Sequence, residues 1–221
     1  MSRGHTSRGP SFGPWGRRRA EGEAPFAGFC RRGYHHGNLR EALIEAARQL
    51  TAERGPHGFT LVEAARLAGV SPSAPYRHFR DKDALLAELC RRGFEAFGKR
   101  LRDATVGQGV REGLAAMGRA YLAFAREEPG YYSAMFAWRD PTPPEGAGEQ
   151  TQDGPFAALV GAIARVLPEG DNPARARLLA LEVWALSHGL AGLERAGMPP
   201  AGSGAPPPEQ VLEDAVGRLL K

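Results

Sequence analysis

The chain has 221 residues, a net charge of +4 and two cysteines, Cys30 and Cys90. That length buries a core without disulfide staples, and two distant cysteines in no CxxC arrangement fit a reducing, cytoplasmic setting. No stretch reaches the roughly 18 apolar residues of a membrane helix, and the basic N-terminus leads into no apolar run of signal-peptide length.

Residues 1–33 carry seven Arg and two acids. They are rich in Gly, Ser and Pro and show no sustained apolar period, so they read as a disordered basic tail. Residues 34–102 carry twelve Lys and Arg against eight acids, and residues 103–221 carry ten against fifteen. A basic first half beside an acidic second half points to a polyanion meeting the first. Cys30, His35 and His36 lack a fourth ligand at metal spacing, so no metal site is expected. Histidines just ahead of a helical unit suit contact with phosphate or a minor groove.

From Asn38 the pattern turns helical. Leu39, Leu43, Ala47 and Leu50 recur on one face until Gly55-Pro56 stops the run. Thr60-Leu-Val-Glu63 is a capping box that opens a short helix from Leu61 to about Ala68, and Gly69 ends it. Ser71 is placed to cap a third helix with Pro72 at its first position. Pro75 sits near its fourth position, where a missing N–H and the constraint on Ala74 predict a tight or distorted first turn. Asp81 caps a long helix starting at Lys82, with Leu86, Leu89, Cys90, Gly93, Phe97 and Leu101 along one stripe.

Further helices follow. One carries Val110, Leu114, Met117, Tyr121 and Phe124 and ends before Pro129. A short aromatic segment runs from Tyr131 to Trp138, and residues 139–150 are a loop by composition. Phe156 to Leu167 marks another helix, Asn172-Pro173 starts a longer one reaching about Ala196, and Val211 to Leu220 marks the last. The expected fold class is all-α.

Short helices joined by tight turns, the second and third about three residues apart, describe a helix-turn-helix. The second member of such a pair enters the major groove with its N-terminal residues leading. Small leading residues, Ser73 and Ala74, let the backbone approach base edges. Tyr76, Arg77 and His78 supply donors for phosphates, and Lys82 at the next helix's N-terminus supplies a phosphate clamp. Phe79 is expected to point into the small core with Leu43 and Leu61. Thr60, Ser71, Ser73, Ala74, Tyr76, Arg77, His78 and Lys82 are thus the expected contacts to double-stranded DNA.

The run TLVEAARLAGVSPSAPYRHFRDKDALL resembles the DNA-binding domain of TetR-family transcriptional regulators, most strongly in its YxHFxxKxxLL core from Tyr76 to Leu86. The second half resembles a subgroup marked by Trp-x-x-x-His-Gly, present as Trp184-Ala-Leu-Ser-His188-Gly189. The resemblance implies a dimeric, ligand-responsive regulator, usually a repressor, that binds a palindromic operator and is released by a small molecule. It also implies that the last two helices, with Leu212 and Val216 among them, pack against the same pair in a second subunit. The domain division is a tail over 1–33, a helix-turn-helix domain over 34–82 and a ligand-binding and dimerisation domain over 83–221.

An effector needs an adaptable apolar cavity, and aromatic side chains with Met make a suitable lining. Tyr121, Phe124, Tyr131, Met135, Phe136, Trp184 and His188 are the candidates. For Trp184 and His188, on one helix face, a packed core pair is the competing reading. No cofactor is expected, and neither a Walker nor an HExxH pattern occurs. The alternatives are an architectural DNA-binding protein without ligand control and, further off, an α-helical enzyme.

Overall fold

The computed structural model describes residues 39–138, 154–168, 172–200 and 202–220, all within one compact unit, Gly37–Lys221. The expectations for the basic tail, Cys30, His35, His36 and the loop over 139–150 lie outside these residues.

Among the described residues the chain is all helical, without strands. The first helix, α1 (Leu39–Arg54), buries Leu43, Ala47 and Leu50 as its period demands. Gly55 then takes φ 74°, a left-handed geometry that favours glycine. The second, α2 (Leu61–Leu67), starts with the full capping box: the Thr60 hydroxyl accepts from the Glu63 amide, and the Thr60 amide donates to Glu63 Oε2 at 2.8 Å. Gly69, at φ 71°, closes its C-terminal end.

The third element departs from the sequence expectation. Instead of an α-helix from Pro72, it is a single 3-10 turn over Ala74–Arg77, and Ser71 and Ser73 lie before it. Ser71 makes no helix cap; its Oγ lies 3.3 Å from Ser73 Oγ. Pro75 is the physical reason. It has no N–H to give the Ser71 carbonyl, so the Ala74 amide makes a tighter bond to that carbonyl at 3.0 Å. The Pro75 ring is fully buried, which fixes the turn against the domain core. The distorted first turn expected at Pro75 is thus observed.

Further helices follow: α3 (Lys82–Asp103), α4 (Val110–Glu127), α5 (Pro129–Phe136), α6 (Pro155–Ala164), α7 (Pro173–Arg195) and α8 (Pro208–Leu219). Asp81 caps α3 by accepting from the Ala84 amide at 2.8 Å. Two buried clusters form. One joins Leu43, Ile44 and Leu50 of α1, Leu61 of α2, Phe79, and Leu85, Leu86 and Leu89 of α3 to Ala134 and Trp138 at α5. The other is built from α3 through α8 around Phe97, Tyr121, Leu122, Phe124 and Ile163. Each fully buried leucine here is worth about 1.5–3 kcal/mol of transfer free energy.

The short helix α5 touches both clusters. Gly130 sits so close to α1 that a Cβ would lie 2.2 Å from the Arg48 carbonyl oxygen. Arg48 donates to Glu128 at 2.9 Å and lies over the Tyr131 ring, and Trp138 Nε1 donates to Asp83 at 3.3 Å. A second tie joins α1 to α3: Glu88 accepts from Arg40, Arg91 and Arg92, and Arg92 also bonds Glu41. Leu212, expected to face a second subunit, is instead buried against its own α4. Its Cδ2 would lie 2.7 Å from a Cβ at Gly118, so glycine there admits it.

Candidate functional site

The 3-10 turn and the loop before it carry most of the side chains expected to meet DNA. Ser71, Ser73, Tyr76, Arg77 and His78 are exposed, Tyr76 at 58%, while Ala74 is half-buried. Phe79, one residue on, is only 4% exposed and anchors the turn in the core with Leu43 and Leu61, as its position predicts. The side chains of Tyr76, Arg77 and His78 make no hydrogen bond or ion pair among the described residues, so their donors are unspent. Arg80 differs, because it is tied to Asp81 at 2.8 Å.

Two of the expected DNA contacts have structural duties. The Thr60 hydroxyl is held in the capping box, donating to Glu63 at 2.9 Å. That hydrogen bond is the main cause that holds the Glu63 carboxyl below its ordinary range. Lys82 is half-buried, donates to the Pro56 carbonyl at 3.3 Å and lies over the Phe59 ring. It therefore braces the turn between α1 and α2, with its remaining N–H donors open. Sequence reasoning passed over Arg66, an exposed cation in the last turn of α2 with no hydrogen bond or ion pair among the described residues. Its place just ahead of the Gly69 turn was the available signal.

The aromatic candidates of the second half do converge. Phe97, from α3, meets Tyr121, Phe124 and Trp184 with ring centroids 5.0, 5.0 and 5.9 Å apart. Phe136 lies 4.8 Å from Tyr132 and 4.8 Å from His188. Phe156 of α6 meets Trp184 edge to face at 5.8 Å. Edge-to-face geometry is the preferred arrangement of such rings. Met135 is buried in the same cluster, and its sulfur would lie 2.9 Å from a Cβ at Gly93. Tyr131 stands apart from the Trp184–His188 rings, under Arg48 at the border of the two clusters.

One polar constellation lies inside this apolar region. The hydroxyls of Tyr121 and Tyr132 both reach His188 Nδ1, at 3.2 and 2.9 Å. Burial pushes both phenols above their ordinary range, so both remain protonated and able to donate at neutral pH. Phe97, Phe156 and Tyr132 complete the candidate set; Phe97 read in the sequence only as one member of a helical stripe.

A groove of about 260 Å³ lies elsewhere, between α4 and α8, floored by Leu114, Gly118, Val183, Leu212 and Val216 and rimmed by Arg119 and Glu213. None of the aromatic candidates lines it. Among the described residues no group of three or more His, Cys, Asp or Glu side chains is placed to hold a metal ion. No helix among them is long and apolar enough to cross a membrane.

Two family models match the chain. Residues 43–89 match the family model described as bacterial regulatory proteins, tetR family. Residues 114–219 match the model described as tetracyclin repressor-like, C-terminal domain. An uncharacterized HTH-type transcriptional regulator, YobS, of Bacillus subtilis (strain 168) is 28% identical over 98 residues. That match takes in 44% of this chain and 51% of YobS, about half of its length. A solved structure of a protein of unknown function from Rhodococcus sp. RHA1 is 30% identical, with a TM-score of 0.69 over 86% of this chain and 97% of that one. The TetR family transcriptional regulator PfmR from Thermus thermophilus shares the fold, with a TM-score of 0.61 over 81% of this chain and 96% of that one at 20% identity.

Proposed function

Because the chain belongs to the TetR family of transcriptional regulators, we propose that it is a dimeric repressor that holds a palindromic operator through the Ala74–Arg77 turn and leaves it when a small molecule binds the second half. The observation that carries this reading is the exposed turn itself. Tyr76, Arg77 and His78 project from a rigid, Pro75- and Phe79-anchored base with their donors unspent. Tyr76, Arg77, His78, Thr60 and Lys82 serve the phosphates, which position a protein without reading sequence, and Ser71, Ser73 and Ala74 approach base edges. Residues 34–82 form the DNA-binding domain, and residues 83–221 bind the effector and the second subunit.

Dimerisation is supported by α7. Leu178, Leu181 and Leu193 are 57%, 56% and 53% exposed, and Ala185, Gly189 and Gly192 continue the same face at helical spacing. A Cβ at Gly189 or Gly192 would meet nothing within 4 Å, so a second helix can approach closely there. The effector's place is the region of Tyr121, Phe124, Met135, Phe136, Trp184 and His188, with Tyr131 at its border. Effector binding works by population: a molecule that favours a dimer with the wrong spacing of its two turns draws protein away from DNA. The work is that of a cytoplasmic protein, without a cofactor and without catalysis. The test is selection of genomic fragments by the full-length chain, followed by anisotropy titration. Recovery of a palindrome bound by a dimer supports the reading, and indifference to sequence would favour an architectural role.

A further inference from the structure

His188 offers one ring nitrogen to two phenols and, among the described residues, leaves the other without a partner. Two phenols approach Nδ1, yet a neutral imidazole presents there either one lone pair or one N–H. A phenol O–H is the stronger donor and imidazole nitrogen the stronger acceptor. The shorter contact, 2.9 Å, therefore runs from the Tyr132 hydroxyl to Nδ1. Tyr121, 3.2 Å from the same nitrogen, is left to share that acceptor or to donate to the Tyr132 oxygen. With Nδ1 accepting in either arrangement, a neutral ring carries its proton on Nε2. Among the described residues Nε2 has no hydrogen-bond partner. The imidazole lies among aromatic rings, with the Phe136 centroid 4.8 Å from its own and Trp184 on the preceding turn of α7.

We propose that His188 Nε2–H is the single hydrogen-bond donor that selects the effector, and that the site takes uncharged, largely apolar molecules carrying one hydrogen-bond acceptor such as a ketone. Tyr121 and Tyr132 are positioning residues that fix the tautomer. The rings touching His188 and Trp184 are Phe97, Tyr121, Tyr132, Phe136 and Phe156, none of them charged. Arg195 touches Tyr132, but it is exposed and donates to Ser133 Oγ at 2.9 Å, which leaves the interior without a counter-charge for an anion. The inference rests on reading this half of the chain as effector-binding, although its tautomer claim stands without any ligand.

The experiment has two arms on the full-length dimer. First, long-range ¹⁵N–¹H spectra of ring-labelled histidine, with His188 assigned by its loss in His188→Phe, read the tautomer. The expected result is a proton on Nε2, with the preference weakened in Tyr132→Phe. A proton on Nδ1 overturns the proposal whatever binds. Second, naphthalene, 2-acetylnaphthalene and 2-naphthoate are titrated while the His188 resonances are followed. The ketone should bind roughly tenfold more tightly than naphthalene, shift Nε2, and lose that advantage in His188→Phe. Equal binding of ketone and hydrocarbon would overturn the donor role while leaving an effector site in place. Tightest binding by the carboxylate would overturn the ligand class. No perturbation of the cluster by any probe would overturn the proposal together with the effector reading beneath it.

Discussion

Replacing Leu178 and Leu181 by Glu should dissociate the proposed dimer without unfolding the subunit. Both side chains lie on the open face of α7 and are 57% and 56% exposed. Full burial of a leucine is worth about 1.5–3 kcal/mol. Just over half of each remains to be covered, so each contributes about 0.8–1.7 kcal/mol on association. A two-fold interface uses every residue twice. The four side chains then supply about 3–7 kcal/mol, or roughly two and a half to five decades in Kd. Four carboxylates brought face to face add further cost, because a buried charge without a partner is strongly disfavoured. Sedimentation velocity across a concentration series measures the change directly, and thermal unfolding checks the subunit. Unchanged dimer dissociation in the double variant would refute the interface. Leu212→Glu makes a poor test, since Leu212 is 3% exposed and its substitution strikes the subunit's own core.

Other expected outcomes are as direct. Arg77→Ala should weaken binding to every DNA sequence alike and make the slope of log K against log salt shallower by about 0.9 per subunit, as a salt titration would show; an altered base preference would contradict the assignment to phosphate. Gly130→Ala forces a Cβ to within 2.2 Å of the Arg48 carbonyl oxygen and should cost about 1–3 kcal/mol, read as a lower Tm; an unchanged Tm would mean that α1 and α5 are not held this closely. Glu88, whose hydrogen bonds from Arg91, Arg92 and Arg40 hold its carboxyl far below the ordinary range, contributes stability that is present above the unfolded carboxylate pKa of about 4.3 and lost as pH falls below it. Glu88→Gln should therefore be less stable at neutral pH and lose less stability on acidification, measured by denaturant titration at both pH values; an equal acid loss in both proteins would contradict this.

The helices were legible because their signals are local. Thr60 and Glu63, Asp81 and Gly69 each mark a terminus through a hydrogen bond or a backbone angle within four residues. Periodicity likewise exposed the buried faces of α1, α3 and α4. The third element was misjudged at its start because Ser71 and Pro72 give a good cap pattern, and the structure follows the stronger constraint at Pro75. The site was legible by residue type and less so by partner. Tyr121, Trp184 and His188 were read from the chain, but the convergence of Tyr121 and Tyr132 on one imidazole nitrogen joins three helices far apart in sequence. Leu212 shows the same limit: its apolar stripe is plain in the sequence, but which neighbour covers that stripe is decided by Gly118 on a distant helix.

The central claim is sequence-specific binding by the exposed turn, and one competition measurement tests it most directly. The wild-type protein and a Ser73→Ala, Tyr76→Ala variant are titrated against a palindrome recovered from genomic fragments, in the presence of increasing scrambled competitor at fixed salt. The wild type is predicted to hold the palindrome at least about a thousandfold more tightly than the competitor, and the variant to lose both affinity and most of that preference. Equal affinity of the wild type for palindrome and competitor, or full preference retained by the variant, would contradict it.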